Sequence, residues 1–113
     1  MSKFWKSILG AAIACLSLTA PSAFAYDFSA IGHVTRIEPT YLPSSLNFSI
    51  DVPAGTCAAG VTLTWNIRGS DEASQIANST AVYTALVTAL AAGRTVTVYG
   101  NNSNCSIDFI QIS

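Results

Sequence analysis

A single amphipathic helical pattern among strand-like segments constrains this chain most. Gly93 supplies the left-handed backbone that commonly ends a helix. Asn78 or Ser79 is the expected N-cap, because its side-chain oxygen can accept a backbone N–H of the first turn. The apolar residues between these limits recur at helical spacing and form one broad stripe: Val82, Tyr83, Leu86, Val87 and Leu90. The sequence therefore predicts one helix that ends before Gly93.

Five segments around this helix have the composition of strands. The second and third alternate cleanly between apolar and polar residues, and we expect Val61, Leu63, Trp65 and Ile67 of the third to face inward. The first follows an N-terminal arm, Tyr26 to Ile31, and its apolar residues change phase, which indicates either a bulge or a strand that is apolar on both faces. The predicted strands are Gly32–Glu38, Leu46–Val52, Val61–Arg68, Thr95–Tyr99 and Ser106–Ile112.

The predicted order is strand, strand, strand, helix, strand, strand. This order favours a mainly β fold, a five-stranded OB-fold-like Greek-key barrel whose helix lies between the third and fourth strands and closes one end. In that topology the third and fifth strands are adjacent and parallel. The alternative is an α+β sheet with the same order and one helix covering a face.

The first 25 residues have the features of a secretory signal peptide. Lys3 and Lys6 precede an apolar run, and Ala23-Phe24-Ala25 forms a small-x-small cleavage site after Ala25. We therefore predict a signal peptide over 1–25, a single domain over 26–113, and a secreted or periplasmic protein with no membrane span after cleavage. The alternative is a lipoprotein in which Cys15 is lipidated instead of removed.

Cys57 and Cys105 are the two cysteines that remain after cleavage. An even pair in an exported protein predicts a disulfide. Cys57 shortly precedes the third predicted strand and Cys105 immediately precedes the fifth. Because parallel neighbours begin at the same end of a sheet, this placement agrees with the barrel prediction.

Charge is sparse in residues 26–113. These residues contain three Arg, no Lys and six acidic side chains, which gives a net charge of −3. No basic patch is available for nucleic acid, which we exclude as a partner. Two cysteines and His33 are too few ligands for a zinc site, so no metal is predicted.

The segment Ala81 to Ser106 resembles small secreted bacterial OB-fold proteins, including B subunits of subtilase-cytotoxin-like and pertussis-like toxins. The matching pattern is a helix, a strand, a polar turn and a cysteine: Tyr83, Leu86, Ala89, Gly93, Val96, Val98, Tyr99 and Cys105. The resemblance implies an OB fold. It also implies a ring of subunits, usually pentameric, that binds cell-surface glycans and carries a catalytic A subunit.

Tyr41 and Tyr99 are the candidate ligand-binding residues, because a loop and a strand end leave aromatic faces exposed. Trp65 is in phase with the apolar face of its strand, which favours a place in the core. His33 has no recognisable nucleophile partner in sequence, and the acidic residues read as solvated. No catalytic residue and no cofactor are predicted, and we do not expect an enzyme.

Two functional hypotheses follow. The first is an exported binding module that recognises a glycan or a partner protein. Because the last strand is apolar on both faces, this hypothesis also includes self-association into a homo-oligomer. The second is a periplasmic structural or inhibitory protein that acts through a protein interface.

The processing of the N-terminus gives the first testable prediction. We expect mass spectrometry of the chain exported by a bacterial host to find Tyr26 at the N-terminus, because Ala25 occupies the −1 position of the cleavage site. A lipid-modified Cys15 at the mature N-terminus would contradict it.

Overall fold

The computed structural model describes residues 26–113, and the predicted signal peptide, its cleavage after Ala25 and Cys15 lie outside these residues. The described residues form a mainly β structure of five strands and one helix, in the order that the sequence predicts. The elements are β1 Phe28–Glu38, β2 Ser45–Ile50, β3 Leu63–Asn66, α1 Glu72–Ala92, β4 Thr95–Asn101 and β5 Ser106–Ile112.

The five strands pair in a closed ring. Around the ring the order is β1, β2, β3, β5, β4, and β4 pairs again with β1. All pairings are antiparallel except that of β3 with β5, which is parallel. The predicted adjacency and direction of the third and fifth strands are confirmed.

The Cys57–Cys105 disulfide joins the loop that precedes β3 to the residue immediately before β5. The Cα atoms of the two cysteines are 6.0 Å apart, and 48 positions of sequence separate them. Cys105 adopts φ 53°, a left-handed backbone that is uncommon outside glycine. The pairing predicted from the sequence is therefore confirmed.

Strand β1 pairs with two different neighbours along its length. Its first half, Phe28 to His33, pairs with β4, and its second half, Val34 to Glu38, pairs with β2. The register shifts between Val34 and Arg36, which confirms the expected bulge. The predicted N-terminal arm was wrong, because Phe28 to Ile31 find hydrogen-bonding partners in β4 and continue the strand.

Helix α1 begins at Glu72, earlier than the sequence pattern indicated. Asp71 is the N-cap: its side chain accepts from the Ser74 backbone N–H at 2.8 Å, and the Ser74 hydroxyl reaches back to the Asp71 N–H at 3.3 Å. This reciprocal capping box satisfies first-turn donors, so Asn78 and Ser79 lie inside the helix and not at its start. Gly93 ends the helix with φ 64°, as predicted.

The core lies inside the ring. Its largest fully buried side chains include Phe48, Leu46, Ile50 and Leu63, and Trp65 is only 8% exposed, as its phase in the strand predicts. Val61 and Ile67 are exposed, so the inward prediction was wrong for both. The reason is that β3 covers only Leu63–Asn66, so Val61 lies before the strand and Ile67 lies after it.

The helix packs mainly against β1 and also contacts β2. Leu86 and Ala89 are fully buried in this contact, whereas Val87 and Leu90 of the predicted stripe are exposed. The apolar surface of α1 is therefore wider than the face that it buries within the chain.

The disulfide gives a prediction about stability. Replacing Cys57 and Cys105 together by Ser should lower the free energy of unfolding by about 4 kcal/mol, because the bridge removes the closure entropy of a long loop from the unfolded chain. Urea titration of the oxidised wild type and of the double variant measures the difference. A loss of less than about 1 kcal/mol would contradict this role for the bridge.

Candidate functional site

Three aromatic rings lie together at one end of the outer face of the sheet. The ring of Tyr99 is 5.6 Å from that of Tyr26, in a tilted arrangement, and 5.6 Å from that of Phe109, edge to face. The register explains the contact with Phe109: Tyr99 on β4 is directly opposite Phe109 on β5 and Ser29 on β1, so these three side chains share one face. Offset and edge-on pairs of this kind hold aromatic rings in fixed positions.

The rings of Tyr26 and Tyr99 border an open cleft of about 440 Å³, which we call the aromatic cleft, and Phe109 packs against Tyr99 outside its lining. Polar groups accompany the rings there. The Tyr99 hydroxyl donates to Gln111 Oε1 at 3.2 Å. The Asp27 N–H donates to Gly100 O at 2.8 Å, and Asp27 Oδ2 accepts from the Asn102 N–H at 3.0 Å. The cleft is lined by Tyr26, Asp27, Phe28, Ser29 and Tyr99.

Of the two predicted ligand residues, only Tyr99 lies in this cleft. Tyr41 is 66% exposed but belongs to the turn after β1, beyond the opposite end of that 11-residue strand. Tyr26, Asp27 and Phe109 were missed by sequence reasoning. Alternation alone places Phe109 on a strand face, but only the β4–β5 register puts it beside Tyr99.

A second concavity, the helix–strand groove, lies between α1 and β5. Its volume is about 270 Å³. Trp65 lies at its floor and donates from Nε1 to Asn78 Oδ1 at 2.9 Å, which explains how a buried indole N–H is satisfied. The groove is lined by Trp65, Asn78, Ala81, Val82, Ala85, Phe109, Ile110 and Ile112.

Arg68 links β3 to β5 beside this groove. Its guanidinium lies 4.4 Å from the centre of the Trp65 ring, a cation–π contact. Arg68 Nη2 also donates to Asp108 Oδ1 at 2.7 Å and to Ile107 O at 3.2 Å. Asn101 Nδ2 donates to the second oxygen of Asp108 at 2.7 Å, so both oxygens of this half-buried carboxylate have partners. Asp108 is therefore a structural residue of the β5 strand.

His33 and Asp51 form a pair that sequence reasoning did not predict. The His33 backbone N–H donates to Asp51 Oδ1 at 2.7 Å, and His33 Nδ1 lies 3.2 Å from Asp51 Oδ2. The backbone N–H and then the side-chain hydrogen bond lower the pKa of Asp51 below 3.8, because they favour the charged carboxylate.

In a nucleophilic triad, a carboxylate orients a histidine, and the histidine activates a serine or cysteine nucleophile. The His33–Asp51 pair supplies the carboxylate and the histidine. Cys57 and Cys105 are joined to each other. The Asp51 N–H donates back to His33 O at 3.0 Å, so the pair extends the β1–β2 ladder past the end of β2. Its geometry is that of a link between the two strands. Within residues 26–113, no cluster of three or more His, Cys, Asp or Glu side chains is arranged to hold a metal ion.

Among residues 26–113, no helix combines the length and the apolar character needed to cross a membrane. Comparisons of the chain with protein-family models, with curated proteins and with solved structures found no match.

The lowered pKa of Asp51 gives a prediction about pH. A carboxylate whose folded-state pKa is lowered stabilises the fold above its ordinary pKa of 3.8, and this contribution is lost as the pH falls through the lowered value. Wild type should therefore be more stable than Asp51→Asn near about pH 5, and the difference should shrink toward about pH 2. Thermal unfolding of both proteins over this range measures it.

Asp71, whose pKa is lowered by the Ser74 hydroxyl and N–H, is present in both proteins. Its titration therefore cancels in the comparison. A difference in stability that stays constant over the whole pH range would contradict the assignment to Asp51.

Proposed function

We propose that this protein is an exported, non-catalytic binding module of OB type whose aromatic cleft recognises a glycan. The observation that carries the proposal is the pair of partly exposed rings, Tyr26 and Tyr99, which line the cleft with Asp27 and which Phe109 supports from beside Tyr99. A sugar ring has an apolar C–H face and a rim of hydroxyl groups. An aromatic ring can pack against the C–H face, and hydrogen-bonding side chains can bind the hydroxyl groups.

The OB-type fold is supported by three features of the ring. A helix connects the third strand to the fourth, the third and fifth strands are parallel neighbours, and all remaining pairings are antiparallel. The likeness to toxin B subunits rests on the sequence pattern that includes Tyr83 and Cys105. Secretion or export to the periplasm is supported by the signal-like segment before Tyr26 and by the disulfide.

The charge of the site indicates the class of glycan. Asp27 places a carboxylate in the cleft, and residues 26–113 carry a net charge of −3. An anionic sugar would meet like charge there, which costs binding energy. The proposed ligand is therefore an uncharged glycan whose hydroxyl groups donate to Asp27. Self-association would add further sites and increase the avidity for a glycan-covered surface.

The aromatic cleft gives a prediction about binding. On an array of glycans and then by calorimetry with one that binds, Tyr99→Ala should weaken affinity by about tenfold or more, because it removes the central ring of the cluster. Tyr99→Phe keeps the ring and should retain most of the affinity. Tyr41→Ala is the matched control, since Tyr41 lies in the turn beyond the far end of β1.

Two outcomes would contradict the proposal. One is an array on which no neutral glycan binds. The other is loss of binding in Tyr41→Ala with unchanged binding in Tyr99→Ala, which would place the ligand at the turn between β1 and β2.

The exposed face of α1 favours a second candidate function, binding to a protein partner in the periplasm as a structural or inhibitory protein. Ile76, Val87 and Leu90 are each more than one-third exposed, and their spacing places them on one face of the helix. Glu72 is the only charged residue in this 21-residue helix. Depletion of charge around exposed apolar groups is typical of a protein interface.

A single variant separates the two candidates. Leu90→Glu places a charge on the exposed helix face and leaves the aromatic cleft unchanged. Loss of co-purification with a periplasmic enzyme, with retained glycan binding, would assign the partner to the helix.

A further inference from the structure

The pairing of β5 with β3 stops after two residue pairs. Thr64 pairs with Ser106 and Trp65 with Ile107, while β5 continues to Ile112. On its other side β5 pairs with β4 as far as Ile112. The side of β5 that faces β3 is therefore an open edge from Phe109 onward.

The hydrogen bonds at the end of β5 show which groups this edge offers. The Ser113 N–H donates to Thr95 O at 2.9 Å, one position beyond the Val96–Ile112 pair of the β4–β5 ladder. Because hydrogen-bonded pairs alternate in an antiparallel ladder, Gln111 and Phe109 also direct their backbone groups toward β4. The N–H and C=O groups of Ile110 and Ile112 then point toward the open edge.

The surroundings of this edge favour an apolar strand as its occupant. The helix–strand groove runs beside it, and Ala81 and Ala85 of α1 are small enough to leave room there. Natural edge strands are usually protected by charged residues, proline or bulges. The segment from Phe109 to Ser113 contains no charged residue and no proline, and Phe109 and Ile112 are exposed by 45% and 39%.

We infer that the open edge of β5 pairs with the same edge of a second copy of this chain, in an antiparallel arrangement with its two-fold axis at Gln111. The inference gives a structural basis to the self-association in the proposed function. Ile110 of one copy then lies opposite Ile112 of the other. These are the two residues whose backbone N–H and C=O groups point toward the open edge. The arrangement therefore gives each of these groups a hydrogen-bonding partner in both copies.

The side chains fit the same arrangement. Opposite residues of an antiparallel pair place their side chains on one face, so the second copy's Ile112 packs beside Ile110 and covers the groove above Ala81 and Ala85. Residues 109–113 carry no charged side chain, so the side chains of two identical strands do not repel each other there. The nearest charged contact is at the end of the segment, where Arg94 Nε donates to Ser113 O at 2.7 Å. A second copy therefore meets the hydrogen-bonding and the apolar requirements of the edge together.

Light scattering coupled to size exclusion tests the dimer on the oxidised protein purified from an exporting host. We expect a mass twice that of the monomer at micromolar concentration. Ile112→Lys should raise the dissociation constant by at least about tenfold, because it places a charge in the paired edge. Ile31→Lys is the matched control: Ile31 is 66% exposed, lies on β1 and should leave the dimer intact.

Amide hydrogen exchange of the wild type provides a test that needs no variant. Exchange at Ile110 and Ile112 should slow as protein concentration rises, while exchange at Phe109 and Gln111, which are bonded to β4, should stay constant.

A monomer at every concentration, or an Ile112→Lys protein that dimerises like the wild type, would overturn the inference. A monomer that instead captures an added extended apolar peptide at Ile110 and Ile112 would overturn the second copy as the occupant. Glycan binding is measured separately, so a wild-type protein that is monomeric at every concentration but still binds a glycan rejects this interface and leaves the proposed function standing.

Discussion

The parallel contact between β3 and β5 is the step on which closure of the ring depends. It consists of two residue pairs, far fewer than the β1–β4 or β4–β5 ladders provide. The disulfide holds the beginning of this contact, and Arg68 holds its end by reaching Asp108 and Ile107 O. A short parallel pairing has little stability of its own, so covalent and ionic contacts at its two ends restrict how far the strands can separate.

The brevity of β3 also explains the position of the helix. The chain leaves the sheet after Asn66 and reaches the N-cap Asp71 within five residues. If β3 continued along β5, its residues would occupy the space beside Ile110 and Ile112. Because β3 turns away instead, α1 lies beside β5. The helix–strand groove between them, with Trp65 in its lining, stays open. The same local feature thus produces an early helix start, an exposed Ile67 and an unpaired strand edge.

Local sequence patterns predicted the order of the elements, the bulge in β1, the bounds of β5 and the Cys57–Cys105 bridge, because each depends on a short-range period or on cysteine number. The helix start was wrong because a polar first turn carries no apolar periodicity, and only the reciprocal Asp71–Ser74 bonds identify it. The aromatic cleft depends on the register between β1, β4 and β5, which periodicity does not specify. Tyr99 was therefore predicted as a single candidate, without Tyr26 and Phe109 beside it.

The two faces of β5 connect the proposed glycan site with the proposed dimer. Phe109 contacts Tyr99 in the aromatic cluster and also lines the helix–strand groove. With a two-fold axis through Gln111 and normal to the sheet, the outer faces of both copies point in one direction. Both aromatic clefts then face the same surface, separated by the paired β5 strands. A pair of sites held in this way converts the second binding event into an intramolecular one, so weak recognition of a single uncharged sugar suffices for attachment to a surface that displays many.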